Sequence, residues 1–401
     1  MRGVEALVTP SVMRWARERA GLNIEEAAAK IGRPKGDVEG WENGTSRPTI
    51  PQARRASEVY RRPLAVFYLP EPPKEFTTLR DFRSLPDSQP REYSPGLSLL
   101  VRTAMMRQQW LREFLTQDKV RKLPYVGSAD LNMKPVEVAN EIRSTLGVTP
   151  GEQRGCGTRR EAVNLWVERA EEEGVFVFRR GRIDPEEARG FLLADDIAPF
   201  IYVNSDDALA AQMFTLAHEL AHLWLNEGGI SNLEPIDPRR RDDTARIELF
   251  CNRVAAEAIL EGDSFDGEWG SMERGVPMER RIESLSRTFK VSEEVIARRL
   301  LDTKQIGREE YMNLRNLYLE RWSRNKARER EKLRSSEGGP SFYRIKAFNN
   351  GYSFTRTVLS AYESGLISGR DASGLLDVKI NRMGKLAARM GMSLPVTSWR
   401  P

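Results

Sequence analysis

Histidine is nearly absent from this sequence: only two occur in 401 residues. Cysteine is equally scarce, and Cys156 and Cys251 lie too far apart in sequence to make a disulfide framework, so both read as reduced thiols. No apolar run reaches the roughly eighteen residues a membrane helix needs, and the N-terminus has no signal-type apolar core. Those absences exclude a membrane partner and place the chain in the cytoplasm. A strong charge of one sign is also missing. With 63 basic and 58 acidic residues the formal net charge is +5, compatible with nucleic acid without requiring it. There is no internal repeat and no low-complexity tract. What remains is a well-charged globular chain, 40% hydrophobic, long enough for two to four domains.

Both histidines stand in one stretch, Phe214-Thr215-Leu216-Ala217-His218-Glu219-Leu220-Ala221-His222-Leu223-Trp224. Met213, Phe214, Ala217, Leu220, Ala221, Trp224 and Leu225 recur at three- and four-residue spacing, which predicts an amphipathic helix with the histidines at the edge of a core. On such a helix positions i and i+4 share a face, so His218 and His222 can close on one ion. Glu219 leaves the helix beside them, where a carboxylate can take a proton from water. Histidine being excluded everywhere else, a metal pair is the better account than two incidental imidazoles.

Catalytic zinc wants three protein ligands and an open position, and no third histidine exists. The missing ligand should be a carboxylate from a second element. Arg246 to Glu257 reads as another helix, on which Glu248 and Asn252 share a face. Glu248 is the expected third ligand. Glu257 competes, although Ala255 and Ala256 beside it suggest a role in holding helices together.

Gly190 to Leu193, Asp195 to Asn204, Phe214 to Ala217 with the histidine motif, and Glu248 with Asn252 and Ala255-Ala256-Glu257 together resemble the ImmA/IrrE family of zinc metallopeptidases over residues 126 to 262. The resemblance implies a small zincin-like domain in which His218, His222 and Glu248 bind Zn2+ and Glu219 is the catalytic carboxylate. It also implies action on helix-turn-helix repressors, whose cleavage switches on stress or mobile-element genes.

Residues 8 to 70 read as a compact helical unit. Asn23 with Glu26 makes a capping box, Gly32 breaks the chain, and Trp41-Glu42-Asn43-Gly44 closes a third helix with a glycine C-cap. Together with Arg47-Pro48 this resembles a Cro/C1-type helix-turn-helix. Its reading head is poor in donors: Ile24, Pro34 and Gly36 with Asp37 and Glu39 offer little to a groove, leaving Arg33 and Lys35 as the nucleic-acid contacts. The unit could equally recognise a related repressor or dimerise the chain. A proline-rich connector, Pro63 to Pro73 and on through Asp81-Phe82-Arg83, follows.

Residues 95 to 122 suggest one long bridging or dimerising helix, and Pro135 to Leu146 and Arg159 to Glu173 two more. Val175 to Phe178, Phe191 to Leu193 and Phe200 to Val203 predict a small sheet against the histidine helix. Gly190 to Ala194 or Phe200 to Asn204 would be its free edge for an extended substrate, and Tyr202 is a candidate oxyanion donor that reads better as a packing aromatic. Glu261 to Gly275 reads as a loop. Pro277 to Leu300 forms a second helix-turn-helix-like pair, 309 to 334 a charged helix with a solvated face, and Ser335 to Pro340 a linker.

The expected fold class is α+β and mostly helical, with an N-terminal five-helix helix-turn-helix unit, a small metallopeptidase domain with a short sheet, and a helical C-terminal region. The domains fall at 1–73 (helix-turn-helix), 74–125 (linker and bridging helix), 126–265 (metallopeptidase), 266–336 (helical region) and 337–401 (small C-terminal element). Two functions fit: a zinc endopeptidase with a repressor or antitoxin as protein substrate, or a DNA-binding regulator or toxin-antitoxin component whose metal site senses. An intact Glu219 favours the first, since a structural zinc site has no use for that carboxylate. A homodimer is compatible with either.

Overall fold

Helix caps set the frame of the N-terminal part. In the computed structural model, which describes residues 4–73, 80–81, 93–231, 242–273, 275–318, 320–321 and 341–392, the chain falls into two units. One holds the described residues up to 73 with those from 93 to Arg102, the other holds 80–81 and everything from Thr103 onward.

The first unit opens with α1 (Pro10–Arg19), α2 (Ile24–Ile31), α3 (Lys35–Asn43) and α4 (Ile50–Val59), and a 3₁₀ turn over Leu64–Tyr68 makes the fifth helical segment. The Asn23–Glu26 capping box is formed, and α2 stops because Gly32 takes a left-handed φ of 78° that a side chain would resist. Val12, Ala16, Ala27, Ile31, Val38, Trp41 and Phe67 fill the core. One buried ion pair crosses it: Nε and Nη2 of Arg17 donate to the two carboxylate oxygens of Glu42, at 2.8 and 2.9 Å. Removing one partner strands the other charge, which costs about 3–5 kcal/mol. Glu42→Ala should therefore lower the protection of amides in α1 and α3 in native-state hydrogen exchange by that amount.

The second unit is built on a five-stranded sheet of order β1-β5-β3-β4-β2. Its strands are β1 (Arg80–Asp81), β2 (Phe176–Arg180), β3 (Gly190–Leu193), β4 (Phe200–Asn204) and β5 (Gly229–Ser231). β3 runs antiparallel to both β4 and β5, while β2 on β4 and β1 on β5 are parallel. Strand alternation sends Val177, Leu192, Ile201 and Val203 to one face, where they share a core with α8 (Arg159–Glu172) and α9 (Leu209–Leu225). Phe178 and Phe200 take the other face, where Phe354 packs at 5.8 Å from each ring. There Gln108 of the helix α5 (Pro95–Gln117) donates to the carbonyls of Leu193 and Ala198, both at 2.9 Å.

The remaining helices are α6 (Pro135–Leu146), α7 (Pro150–Gly155), α10 (Asp243–Ile259), α11 (Gly262–Ser271), α12 (Met278–Phe289), α13 (Glu293–Asp302) and α14 (308–318). At the C-terminal side come α15 (Phe342–Asn350), α16 (Tyr352–Glu363), α17 (Gly369–Leu376) and α18 (Met383–Arg389). The mostly helical α+β class is the one read from the sequence.

Three readings are corrected. Neither Gly190–Ala194 nor Phe200–Asn204 is an edge: β3 and β4 are interior, and every residue of both strands is buried. Their unbroken apolar runs are the mark of strands covered on both faces, where a half-solvated edge would alternate. The outer strands are β1 and β2, and β2 is in turn covered by α15 and α16, with Arg179 over the Phe348 ring at 4.2 Å. Glu261 to Gly275 is mostly helix, because Glu261 caps Ser264 and Phe265 buries completely beside Trp269. The bridging helix ends at Gln117. Phe82 and Arg83, the charged run from Arg324 and the Ser335 to Pro340 linker lie outside the described residues.

α16 is tied to the end of α8 by Glu171, which accepts a hydrogen bond from the Ser353 amide at 3.3 Å. Burial pushes this carboxyl up from 4.5 to about 7. The folded state thus holds the proton more tightly than the unfolded chain, so this contribution to stability is complete below about 4.5 and is lost as pH rises through about 7. Glu171→Gln should match wild type in urea unfolding at the acid end and exceed it by about 3 kcal/mol at pH 8.

Candidate metal centre

α9 carries both histidines, and its C-terminal end is pinned from three sides. Trp224 stacks on Tyr125 with centroids 4.5 Å apart and donates through Nε1 to Glu141 at 3.0 Å. The Leu223 carbonyl accepts from the amide of Gly127 as well as from the capping amide of Asn226, and the Trp224 carbonyl accepts from that of Ala129. Asn226 then ends the helix with a left-handed φ of 55°. Neither Tyr125 nor Glu141 was foreseen. They reach Trp224 from far upstream, and no local pattern signals such a contact.

α10 starts at Asp242, whose side chain caps the Ala245 amide at 3.0 Å, and packs along α9 through Cys251, Val254, Ala255 and Ala258. Its far end is held by Arg143, which donates to the Ala258 carbonyl, and by Gln153, which donates to that of Ile259 at 2.8 Å. This packing delivers Glu248 to the histidines. Nε2 of His222 lies 3.0 Å from Nε2 of His218 and 3.0 Å from Oε1 of Glu248, and Nε2 of His218 lies 3.4 Å from Oε2 of Glu248. Among the described residues this is the group of histidine, cysteine and acidic side chains placed to hold a metal ion.

The chemistry of the donor set fits a metal. Burial lowers the His222 pKa and keeps the ring neutral, with a lone pair to give. Burial would raise Glu248, but the two imidazoles outweigh it and hold the carboxyl at about 2, so the third donor is ionised. Two ring nitrogens and a carboxylate then face one another with more lone pairs than protons. The Nε2 atoms are the ones turned toward each other and toward the Glu248 carboxylate, so Nε2 is the nitrogen each imidazole would offer a metal. Bonds of about 2.0–2.2 Å in a tetrahedron separate ligand atoms by roughly 3.3–3.6 Å, and the observed separations of 3.0 to 3.4 Å come up to the lower end of that range.

Glu219 is fully buried on the same turn of α9. Glu257, the competing ligand, pairs instead with Arg299 of α13 and so joins two helices. Cys251 stands outside the group of side chains placed to share an ion, and burial pushes its thiol well up. Tyr202 lies on the face of the sheet away from α9: it stacks on Phe191 at 5.0 Å, and its hydroxyl donates to the Arg180 carbonyl at 2.7 Å. In the first unit, Arg33 donates to Asp37 at 2.8 Å, and Lys35 pairs with Glu25 at 2.6 Å and Glu39 at 3.5 Å. Both cations are thus already paired with carboxylates of α2 and α3.

A helix presenting two imidazoles and an acid, crossed by a second helix with a further carboxylate and laid under a small mixed sheet, is the architecture of a metallopeptidase. Residues 170–301 match the Peptidase M78 family, described as the IrrE N-terminal-like domain, and residues 13–67 match a helix-turn-helix family. The chain therefore carries the two domains of the long ImmA/IrrE form, a helix-turn-helix followed by the peptidase. No curated protein matches it.

The donor geometry predicts that Glu248→Gln lowers affinity for Zn2+ beyond the 10–100-fold that loss of an outer hydrogen-bond partner costs, roughly. Competition against a chromogenic chelator measures it; unchanged affinity would remove Glu248 from the site.

Proposed function

We propose that the chain is a zinc-dependent endopeptidase that regulates transcription in the cytoplasm by cleaving a helix-turn-helix repressor or antitoxin, in a stress or mobile-element response. The convergence of His218, His222 and Glu248 beside Glu219 carries this reading. Zinc held by the first three would act as a Lewis acid, polarising the scissile carbonyl and making water nucleophilic near neutral pH. Glu219 is the proton carrier: it takes the proton from the attacking water and returns it to the leaving amine. Its burial excludes bulk water from that transfer, and it lies on the same buried turn of α9 as His218 and His222.

The helix-turn-helix domain would bring this activity to a repressor by recognising the same DNA or the repressor's own related fold. Arg33 and Lys35 reach phosphates only by giving up Asp37, Glu25 and Glu39. Recognition of a protein suits that surface better.

A second reading has one observation in its favour. His218, Glu219, His222 and Glu248 are 0–3% exposed, a burial that suits a metal-sensing regulator as well as a resting peptidase. Glu219→Gln separates the two. Incubation of zinc-loaded protein with co-encoded repressors or antitoxins should yield a fragment that chelator prevents, and the variant should lose about 10²–10⁴-fold in rate with zinc affinity intact. Full cleavage by the variant would contradict the role given to Glu219. Zinc-dependent DNA binding with no fragment from any partner would support the sensor.

A further inference from the structure

We propose, resting on the peptidase reading, that Gly190 is a positioning residue for Glu219: its missing side chain sets where that carboxylate lies under the sheet. Gly190 opens β3, in register with Val203 of β4 and Ser231 of β5. Alternation places it on the same face as Leu192, the face that meets α9. A Cβ built there would lie 2.5 Å from Cγ2 of Thr215, 2.9 Å from Oε1 of Glu219 and 3.0 Å from the backbone oxygen of Tyr202.

The backbone does not ask for glycine at this position. Gly190 is not among the glycines with positive φ, so its conformation suits any residue and only space demands its absence of side chain. The three neighbours differ in how they can respond. Thr215 is β-branched on a helix and stiff at χ1, and the Tyr202 oxygen belongs to the strand paired with β3. The Glu219 carboxylate, at the end of a longer chain, is the group that yields. Any side chain at 190 therefore displaces the proton carrier while His218, His222 and Glu248 keep their places.

The test uses the full chain as wild type, Gly190→Ala, Thr215→Ser and the double variant. Thr215→Ser deletes the Cγ2 atom that a new methyl would strike first and leaves the contact with Glu219. Gly190→Ala should be destabilised in urea, with zinc affinity changed by less than the tenfold, roughly, of an outer-partner loss. In the double variant the unfolding midpoint should return to that of Thr215→Ser. Cleavage of a quenched fluorogenic peptide library should stay down by about tenfold or more in both Gly190→Ala backgrounds, and crystal structures of both should show the carboxylate moved. A double variant that regains cleavage with its stability, or an unmoved carboxylate, would make Gly190 a packing glycine and overturn the proposal. If zinc-loaded wild type cleaves no peptide in the library and no co-encoded partner, the peptidase reading fails, and the crystallographic position of Glu219 still decides the role of Gly190.

Discussion

Two imidazoles and an ionised carboxylate are held face to face in a dry interior, and much of the second unit is the apparatus that holds them there. Left to themselves, two imidazoles and a carboxylate would turn toward water, since burying an ionised acid without a cation costs several kcal/mol. α9 contributes two donors through nothing more than its 3.6-residue turn. The third comes from α10, and its placement depends on small residues such as Ala255 and Ala258 that let the helices approach. Outside these two, the amides of Gly127 and Ala129 hold the end of α9 close to His222, while Arg143 and Gln153 anchor the far end of α10.

The sheet has a different task from the one its apolar strands first suggest. With β3 and β4 both interior, their main-chain groups are spent within the sheet and cannot pair with an extended substrate. β3 serves as the roof over α9, and Gly190 is the place where that roof comes closest to Glu219. β2 is capped by α15 and α16, which prevents it from templating strand addition. The C-terminal helices thus finish the peptidase sheet in addition to making their own small core.

The first unit is a helix-turn-helix whose head carries at least as many acids as bases. The core residues and caps of the helix-turn-helix are in place, including the buried Arg17–Glu42 pair. The two cations at its head are neutralised by carboxylates within the same pair of helices, so attraction to a phosphate backbone is weakened where such domains usually need it.

Much of this was legible beforehand. Local rules are short-range, and the caps at Asn23, Gly32 and Ser292, the helical face bearing His218 and His222, and the apolar strands all follow from neighbours within a few residues. Glu248 could be nominated from ligand arithmetic, with Glu257 still open beside it; only the contact with Arg299 took Glu257 away. Strand order was beyond reach, because a continuous apolar run says that a strand is covered on both faces and not which strands cover it. The helix over Gly262–Ser271 was hidden for the opposite reason: its glycines argue locally against a helix, and burial of Phe265 overrides them. By itself the sequence determined the two imidazoles on one turn and the acid between them, since a helix repeats every few residues wherever it lies. The meeting of that turn with Glu248, Gly190, Glu141 and Tyr125 was decided only by the tertiary structure, because side chains distant along the chain become neighbours through packing, which no local pattern encodes.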